Sequence, residues 1–140
     1  MNDQKDKLMW LGLYRTRHFV VGGMTILQVN GREVTTGSTK IYMEELNMEK
    51  LRFITRVEIP ENSNVLLGLK FTISNKVLEF KANILGVQSN VKKRRYTYLV
   101  EFVIDNDDDR QSILTLVNKI QLANKQKKLR SITEIAVEVE

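Results

Sequence analysis

Hydrophobic and polar residues alternate with a period of two along most of the middle of the chain. This period is typical of strands that bury one face and expose the other. In one such segment Leu78, Phe80 and Ala82 alternate with Glu79 and Lys81. The pattern predicts strands over residues 24–29, 32–36, 40–46, 51–55, 65–73, 77–87 and 96–104.

Short polar breaks separate these strands. Asn30–Gly31 stands between two of them and predicts a hairpin, because both residues accept the positive φ of a type I′ turn. Residues 74–76 predict a second hairpin, and the only proline, Pro60, begins another turn. The four consecutive basic residues from Lys92 to Arg95 are predicted to form a loop.

The period changes near Asn106. Asn106 or Asp107 suits the N-cap of a helix, and the acidic residues that follow suit its first turn, where the helix dipole favours negative charge. The spacing predicts a helix from Asp107 to beyond Leu122, with an apolar face formed by Ile113, Leu116, Val117 and Ile120. Residues 135–140 alternate weakly, which leaves a short strand or a tail open.

Six or more short antiparallel strands followed by one helix predict a mainly β protein. A small antiparallel barrel with a C-terminal α-helix removes the exposed edges that an open sheet would leave. A length of 140 residues suits one domain. We divide the chain into an N-terminal segment (residues 1–13), the barrel plus helix (residues 14–123) and a basic helix extension with a tail (residues 124–140).

Composition narrows the function. The chain has no cysteine and one histidine, His18, so we expect neither disulfides nor a metal centre. No apolar run reaches the ~18–20 residues that cross a bilayer, and we expect a cytoplasmic protein. No Gly-rich phosphate loop or nucleophile constellation is present, so we expect no enzyme. The net charge of +5 favours an anionic partner.

Two stretches carry a family resemblance. One is the basic segment that contains Arg15 and Arg17, and the other is Glu45–Leu46–Asn47–Met48–Glu49–Lys50, continued by Leu51–Arg52–Phe53. From about Tyr14 to Leu122 the chain resembles the PilZ domain family, six-stranded barrels that bind the bacterial second messenger cyclic di-GMP. That family has an RxxxR segment before the first barrel strand. A D/N-x-S-x-x-G motif follows at a strand end, often continued by Leu-Arg-Phe.

The resemblance implies five candidate residues for cyclic di-GMP binding: Arg15, Arg17, Glu45, Asn47 and Lys50. All depart from the family pattern. Glu45 occupies the motif position of Asp or Asn, Asn47 that of Ser and Lys50 that of Gly. Arg15 and Arg17 are two residues apart, whereas the arginines of the family segment are four apart. We therefore expect residues 45–50 to form the strand-end turn of the family, and cyclic di-GMP to bind there weakly or not at all. A solvated basic segment and an ordinary polar connection are the competing interpretations.

The resemblance implies a regulatory module of a bacterial cyclic di-GMP pathway. Such a module has no resident cofactor, and cyclic di-GMP would be its regulatory ligand. Its other partner would be an unidentified protein or a second copy of the chain. Two alternatives stay open: a ligand-independent protein-interaction or oligomerisation module of the same fold, and, with less support, a nucleic-acid-binding barrel. For the last, the basic run lacks an accompanying signature of base-stacking strands.

Overall fold

The computed structural model of the protein describes residues 14–60, 63–73 and 75–136. The predicted N-terminal segment (residues 1–13) and the end of the predicted tail (residues 137–140) lie outside the described residues. The described part contains seven strands and one helix: β1 (Tyr14–Val29), β2 (Arg32–Glu33), β3 (Thr39–Leu46), β4 (Lys50–Thr55), β5 (Val65–Ile73), β6 (Lys76–Asn90), β7 (Arg95–Val103) and α1 (Asp107–Ala136).

The six longer strands close into an antiparallel barrel. The sheet order is β2-β1-β3-β4-β7-β6-β5, and β1 also pairs with β5, which joins the two sides of the sheet. Gly22 lies where both pairings of β1 overlap. A Cβ atom there would lie 2.6 Å from the carbonyl oxygen of Lys70 and would collide with the ring of Phe71, so this close approach requires glycine. The predicted mainly β barrel with a C-terminal helix is confirmed.

Two strands differ most from the sequence prediction, whereas the others agree with it within three residues at each end. β1 begins at Tyr14 instead of Met24, because pairing with β3 holds this segment extended although its polar residues and glycines break the alternation. β2 contains only Arg32 and Glu33 instead of residues 32–36. The turn between them is as predicted: Asn30 has φ 51° and Gly31 has φ 82°, the two positive values of a type I′ turn.

The core fills the barrel and continues under the first half of α1. Inside the barrel, the rings of Phe53 and Tyr98 lie 5.8 Å apart between centroids. The apolar face predicted for the helix is buried: Ile113, Leu116, Val117 and Ile120. Asn106 is the N-cap, since its Oδ1 accepts a hydrogen bond from the backbone N–H of Asp109 at 2.9 Å.

The helix continues past Ile120, the last residue of its predicted apolar face. It reaches Ala136 and so includes Ile135 and Ala136, the first two residues of the segment for which the sequence allowed a short strand or a tail. Within the described residues, no helix combines the length and the apolar character that crossing a membrane requires.

Candidate functional site

Three of the five candidate cyclic di-GMP residues lie at the end of the barrel where β3 turns into β4. Glu45 lies near the end of β3, Asn47 lies in the connection and Lys50 begins β4. The first residues of β1 run beside them, and the backbone of Arg15 pairs with that of Glu45. The fold therefore brings the start of the basic segment next to the second motif.

Arg17 is not part of this regular pairing. The register between β1 and β3 shifts between Arg15 and Val20, so the four residues 16–19 stand opposite the single residue Glu44. Arg17 therefore does not share the regular ladder that places Arg15 beside Glu45. The two arginines differ in their backbone setting as well as in their spacing.

Asn47 holds the turn with its side chain. Its Oδ1 accepts hydrogen bonds from the backbone N–H groups of Glu49 at 2.8 Å and Lys50 at 2.7 Å. Its own backbone N–H donates to the carbonyl oxygen of Lys50 at 2.9 Å. Short polar side chains commonly stabilise turns in this way, and a serine hydroxyl makes similar but weaker bonds. Asn47 thus has a structural role in the turn.

Lys50 stands where the family motif has glycine. Among the described non-glycine residues, a positive φ occurs only at Asn30, Asn75 and Arg94, so the backbone at Lys50 is one that any residue adopts. The side chain of Lys50 is 21% exposed, and its Nζ lies 3.9 Å from Glu49 Oε1. Glycine is not needed here for its backbone freedom, and a largely covered lysine side chain lies in its place.

Glu45 is engaged inside the protein. Arg52 Nη2 lies 2.7 Å from Glu45 Oε2, and Arg52 Nε lies 3.0 Å from Glu44 Oε1. We call these three residues the Arg52 cluster. Arg52 is 5% exposed and Glu45 is 8% exposed, so the two charges compensate each other in a region with little water.

The Arg52 cluster engages the motif acid before any ligand arrives. Both carboxylates of the cluster contact the guanidinium group of Arg52. A phosphate group that approaches Glu45 would meet a carboxylate that is already paired within the protein. Among the described residues, no group of three or more histidines, cysteines and acidic residues has a geometry that could hold a metal ion.

Sequence reasoning did not include Glu44 and Arg52 among the candidate site residues. The hairpin register could have indicated that Arg52 pairs with Glu45, because Leu46 opposite Leu51 places Arg52 opposite Glu45. The burial of Arg52 was less visible in the sequence. It follows from the position of this strand between β3 and β7, where residues 51–55 are all buried.

Comparison with known proteins defines the class of fold. The structure is similar to the crystal structure of the PilZ domain of CeSA from a cellulose-synthesizing bacterium, with a TM-score of 0.61 and 12% sequence identity. The match covers 77% of this chain and 98% of that domain. No protein-family model and no curated protein matches the sequence. The protein has a PilZ-like fold, as the sequence resemblance predicted.

Proposed function

We propose that the protein is a PilZ-like regulatory module of a bacterial cyclic di-GMP pathway, in which binding of cyclic di-GMP is weak or lost. The observation that carries this proposal is a PilZ-like barrel whose motif acid, Glu45, is engaged by Arg52. The module performs no chemistry and acts in the cytoplasm through the surfaces that it offers to other molecules. A ligand that bound one of these surfaces would shift its population of conformations.

Several features weaken the family site together. Arg52 engages the motif acid Glu45, and Lys50 adds a side chain where the motif has none. The loss of one bidentate arginine contact or one close backbone approach costs about 1–3 kcal/mol, or roughly one to two decades of affinity. We therefore expect a dissociation constant above about 100 µM for cyclic di-GMP. The charge of Lys50 offsets part of the loss if it meets a phosphate.

A second function has one observation in its favour. Arg52 compensates the charge of Glu45 without any ligand, so the β3–β4 turn does not need a ligand to stabilise this buried carboxylate. This favours a ligand-independent protein-interaction or oligomerisation module of the same fold. Such a module would offer one constant surface to its partner.

Calorimetric titration with cyclic di-GMP tests the proposal. The wild type is compared with a variant in which Glu45→Asp, Asn47→Ser and Lys50→Gly restore the motif. We expect weak binding by the wild type and binding at least about tenfold tighter by the variant. Submicromolar binding by the wild type that is lost on Arg15→Ala or Arg17→Ala would contradict the weak-site proposal and indicate an active receptor.

The control variant is Arg32→Ala. It removes one exposed arginine from β2, which pairs with the other end of β1. Equal losses of affinity from Arg32→Ala and Arg15→Ala would indicate general charge attraction and not a site. If the restored motif also fails to bind, the ligand-independent module is favoured, and light scattering then measures self-association.

A further inference from the structure

A second concave site lies on the outer face of the barrel, towards the ends of β3 and β4 that are remote from the Asn47 turn. We call it the basic groove. It has a volume of about 340 Å³ and is lined by Tyr42, Ile54, Thr55, Arg56, Lys93 and Arg95. Small-molecule sites usually measure about 300–1,000 Å³, so the groove suits a ligand at the small end of this range.

The floor of the basic groove is apolar. Met43 and Phe53 point into the barrel and are fully buried, so their neighbours Tyr42 and Ile54 point outward. Tyr42 and Ile54 are also directly paired between β3 and β4. Together they place the partly buried phenol ring of Tyr42 beside Ile54, which is 7% exposed and forms the closed bottom of the groove. Such a floor can hold a flat ring.

The rim of the basic groove is cationic. Arg56 follows β4, Lys93 lies in the turn between β6 and β7, and Arg95 begins β7. Among the described residues, no carboxylate lines the groove. In the part of the chain that the structure describes, none of these three side chains forms an ion pair. Three uncompensated cations around an apolar floor attract an anion that has a hydrophobic part.

The turn that carries Lys93 is held before any ligand arrives. The backbone N–H of Arg94 donates to the carbonyl oxygen of Val91 at 3.1 Å, and that of Lys93 donates to Asn90 Oδ1 at 3.3 Å. Arg94 has φ 49°, which lets the chain reverse into β7. A turn ordered in advance loses less entropy when its side chains bind a ligand.

We propose that the basic groove binds a nucleotide, a phosphate ester that carries a flat ring. The phosphate would lie between Arg56, Lys93 and Arg95, because guanidinium forks suit phosphate oxygens and an ammonium group adds a point charge. The ring would pack on Tyr42 and Ile54. This site shares no residue with the five cyclic di-GMP candidates or with the Arg52 cluster. The proposal therefore stands or fails independently of the proposed function.

A free nucleotide and one unit of a single-stranded nucleic acid offer the same chemistry, so the experiment includes both. The ¹⁵N-labelled full chain is titrated with guanosine 5′-monophosphate, with inorganic phosphate and with a thymidine oligonucleotide of about 12 units. We expect the monophosphate to shift the amide resonances of residues 54–56 and 91–95. We also expect it to bind at least about fivefold more tightly than inorganic phosphate, because the ring adds contacts.

Two double variants with equal charge provide the matched comparison. Lys93→Gln with Arg95→Gln removes two lining cations, whereas Lys92→Gln with Arg94→Gln removes two cations from the same turn that do not line the groove. We expect the first pair to weaken monophosphate binding at least about tenfold and the second pair less than about twofold. Tyr42→Leu should weaken the binding of the monophosphate and leave the binding of inorganic phosphate unchanged.

Three results would overturn the proposal. Equal losses from both double variants would show general attraction of anions to a basic turn. Inorganic phosphate that binds as tightly as the monophosphate would show that no ring site exists. Oligonucleotide binding that is much tighter than monophosphate binding and is weakened equally in both double variants would indicate a polyanion surface.

All four exchanged side chains are exposed, so we expect both double variants to fold, and thermal unfolding checks this. If the first double variant does not fold, Arg56→Gln takes its place.

Discussion

Arg52 and Arg56 belong to the same stretch of chain, yet their surroundings are opposite. Arg52 is 5% exposed and lies between Glu44 and Glu45 at the β3–β4 turn. Arg56 is exposed on the rim of the basic groove, where the described lining residues include no carboxylate. β4 buries residues 51–55 and ends at Thr55, and Arg56 beyond its end is exposed, which separates the two environments.

The difference shows how burial decides the role of a charge. A guanidinium group that loses water must be compensated by the protein itself, so Arg52 and Glu45 stabilise each other and neither is left for a ligand. An exposed guanidinium group keeps its water and needs no internal partner. Arg56 is therefore available to an anion from outside, and Arg52 is not.

The largest effect that breaks this contrast is expected for Arg52→Met. It removes the guanidinium group that Glu45 contacts at 2.7 Å and leaves that carboxylate buried, so we expect the free energy of unfolding to fall by about 3 kcal/mol. Urea denaturation measures the change. The control Arg56→Met removes an exposed arginine and should change the same quantity by less than about 0.5 kcal/mol.

A second variant separates the charge from the packing. Arg52→Met combined with Glu45→Leu removes both members of the buried pair, and we expect at least about half of the lost free energy of unfolding to return. A free energy of unfolding of Arg52→Met that lies within about 1 kcal/mol of the wild-type value would show that Glu45 does not depend on Arg52.

Asn47→Ala tests the turn with a smaller expected effect. The backbone N–H groups of Glu49 and Lys50 lose their shared acceptor, so we expect a loss of about 1 kcal/mol in the free energy of unfolding. Hydrogen exchange at these two amides should also become faster. Asn47→Ser should restore more than half of the stability, and an alanine variant as stable as the wild type would argue against a structural role for Asn47.

The basic groove should respond in the opposite way to the Arg52 cluster. Lys93→Gln with Arg95→Gln removes cations without described ion-pair partners, and we expect a change below about 0.5 kcal/mol in the free energy of unfolding. A small gain is the expected sign, because repulsion within the basic turn decreases. A loss above about 1 kcal/mol would indicate that these side chains support the fold instead of a ligand.

The smallest effect concerns the exposed pair of Lys81 and Asp105, which joins β6 to the start of α1. The hydrogen bond to Asp105 and the negative charge of that carboxylate raise the pKa of Lys81 above its ordinary value of 10.5. A lysine whose pKa is higher in the folded than in the unfolded protein stabilises the fold. This contribution is fully present below the pKa of the unfolded state and is lost as the pH rises through the pKa of the folded state.

The melting temperatures of the wild type and of Lys81→Met, measured as a function of pH, test this contribution. The advantage of the wild type should be constant from about pH 6 to pH 9 and should shrink above about pH 10.5. An advantage that grows above that pH would show that the pKa of Lys81 is lowered and not raised.

Local patterns in the sequence determined most of the secondary structure. A period of two follows from strands that bury one face, and the shift to a helical period at Asn106 predicted the face of α1 that is buried. The Asn30–Gly31 turn was equally local, since it depends on the φ values that two adjacent residues accept. The family resemblance located the Asn47 turn for a similar reason, because its motif lies within one short segment.

Only the tertiary structure decided which charges are compensated. β1 begins at Tyr14 because this segment pairs with β3, and such pairing leaves no regular pattern in a segment with charges and glycines. The burial of Arg52 depends on β3 and β7 on either side of it. The basic groove joins residues 42, 54–56 and 93–95, which are distant in sequence and adjacent only because the barrel closes. Compensation of a charge depends on distance in space and on access of water, and neither quantity is local in the sequence.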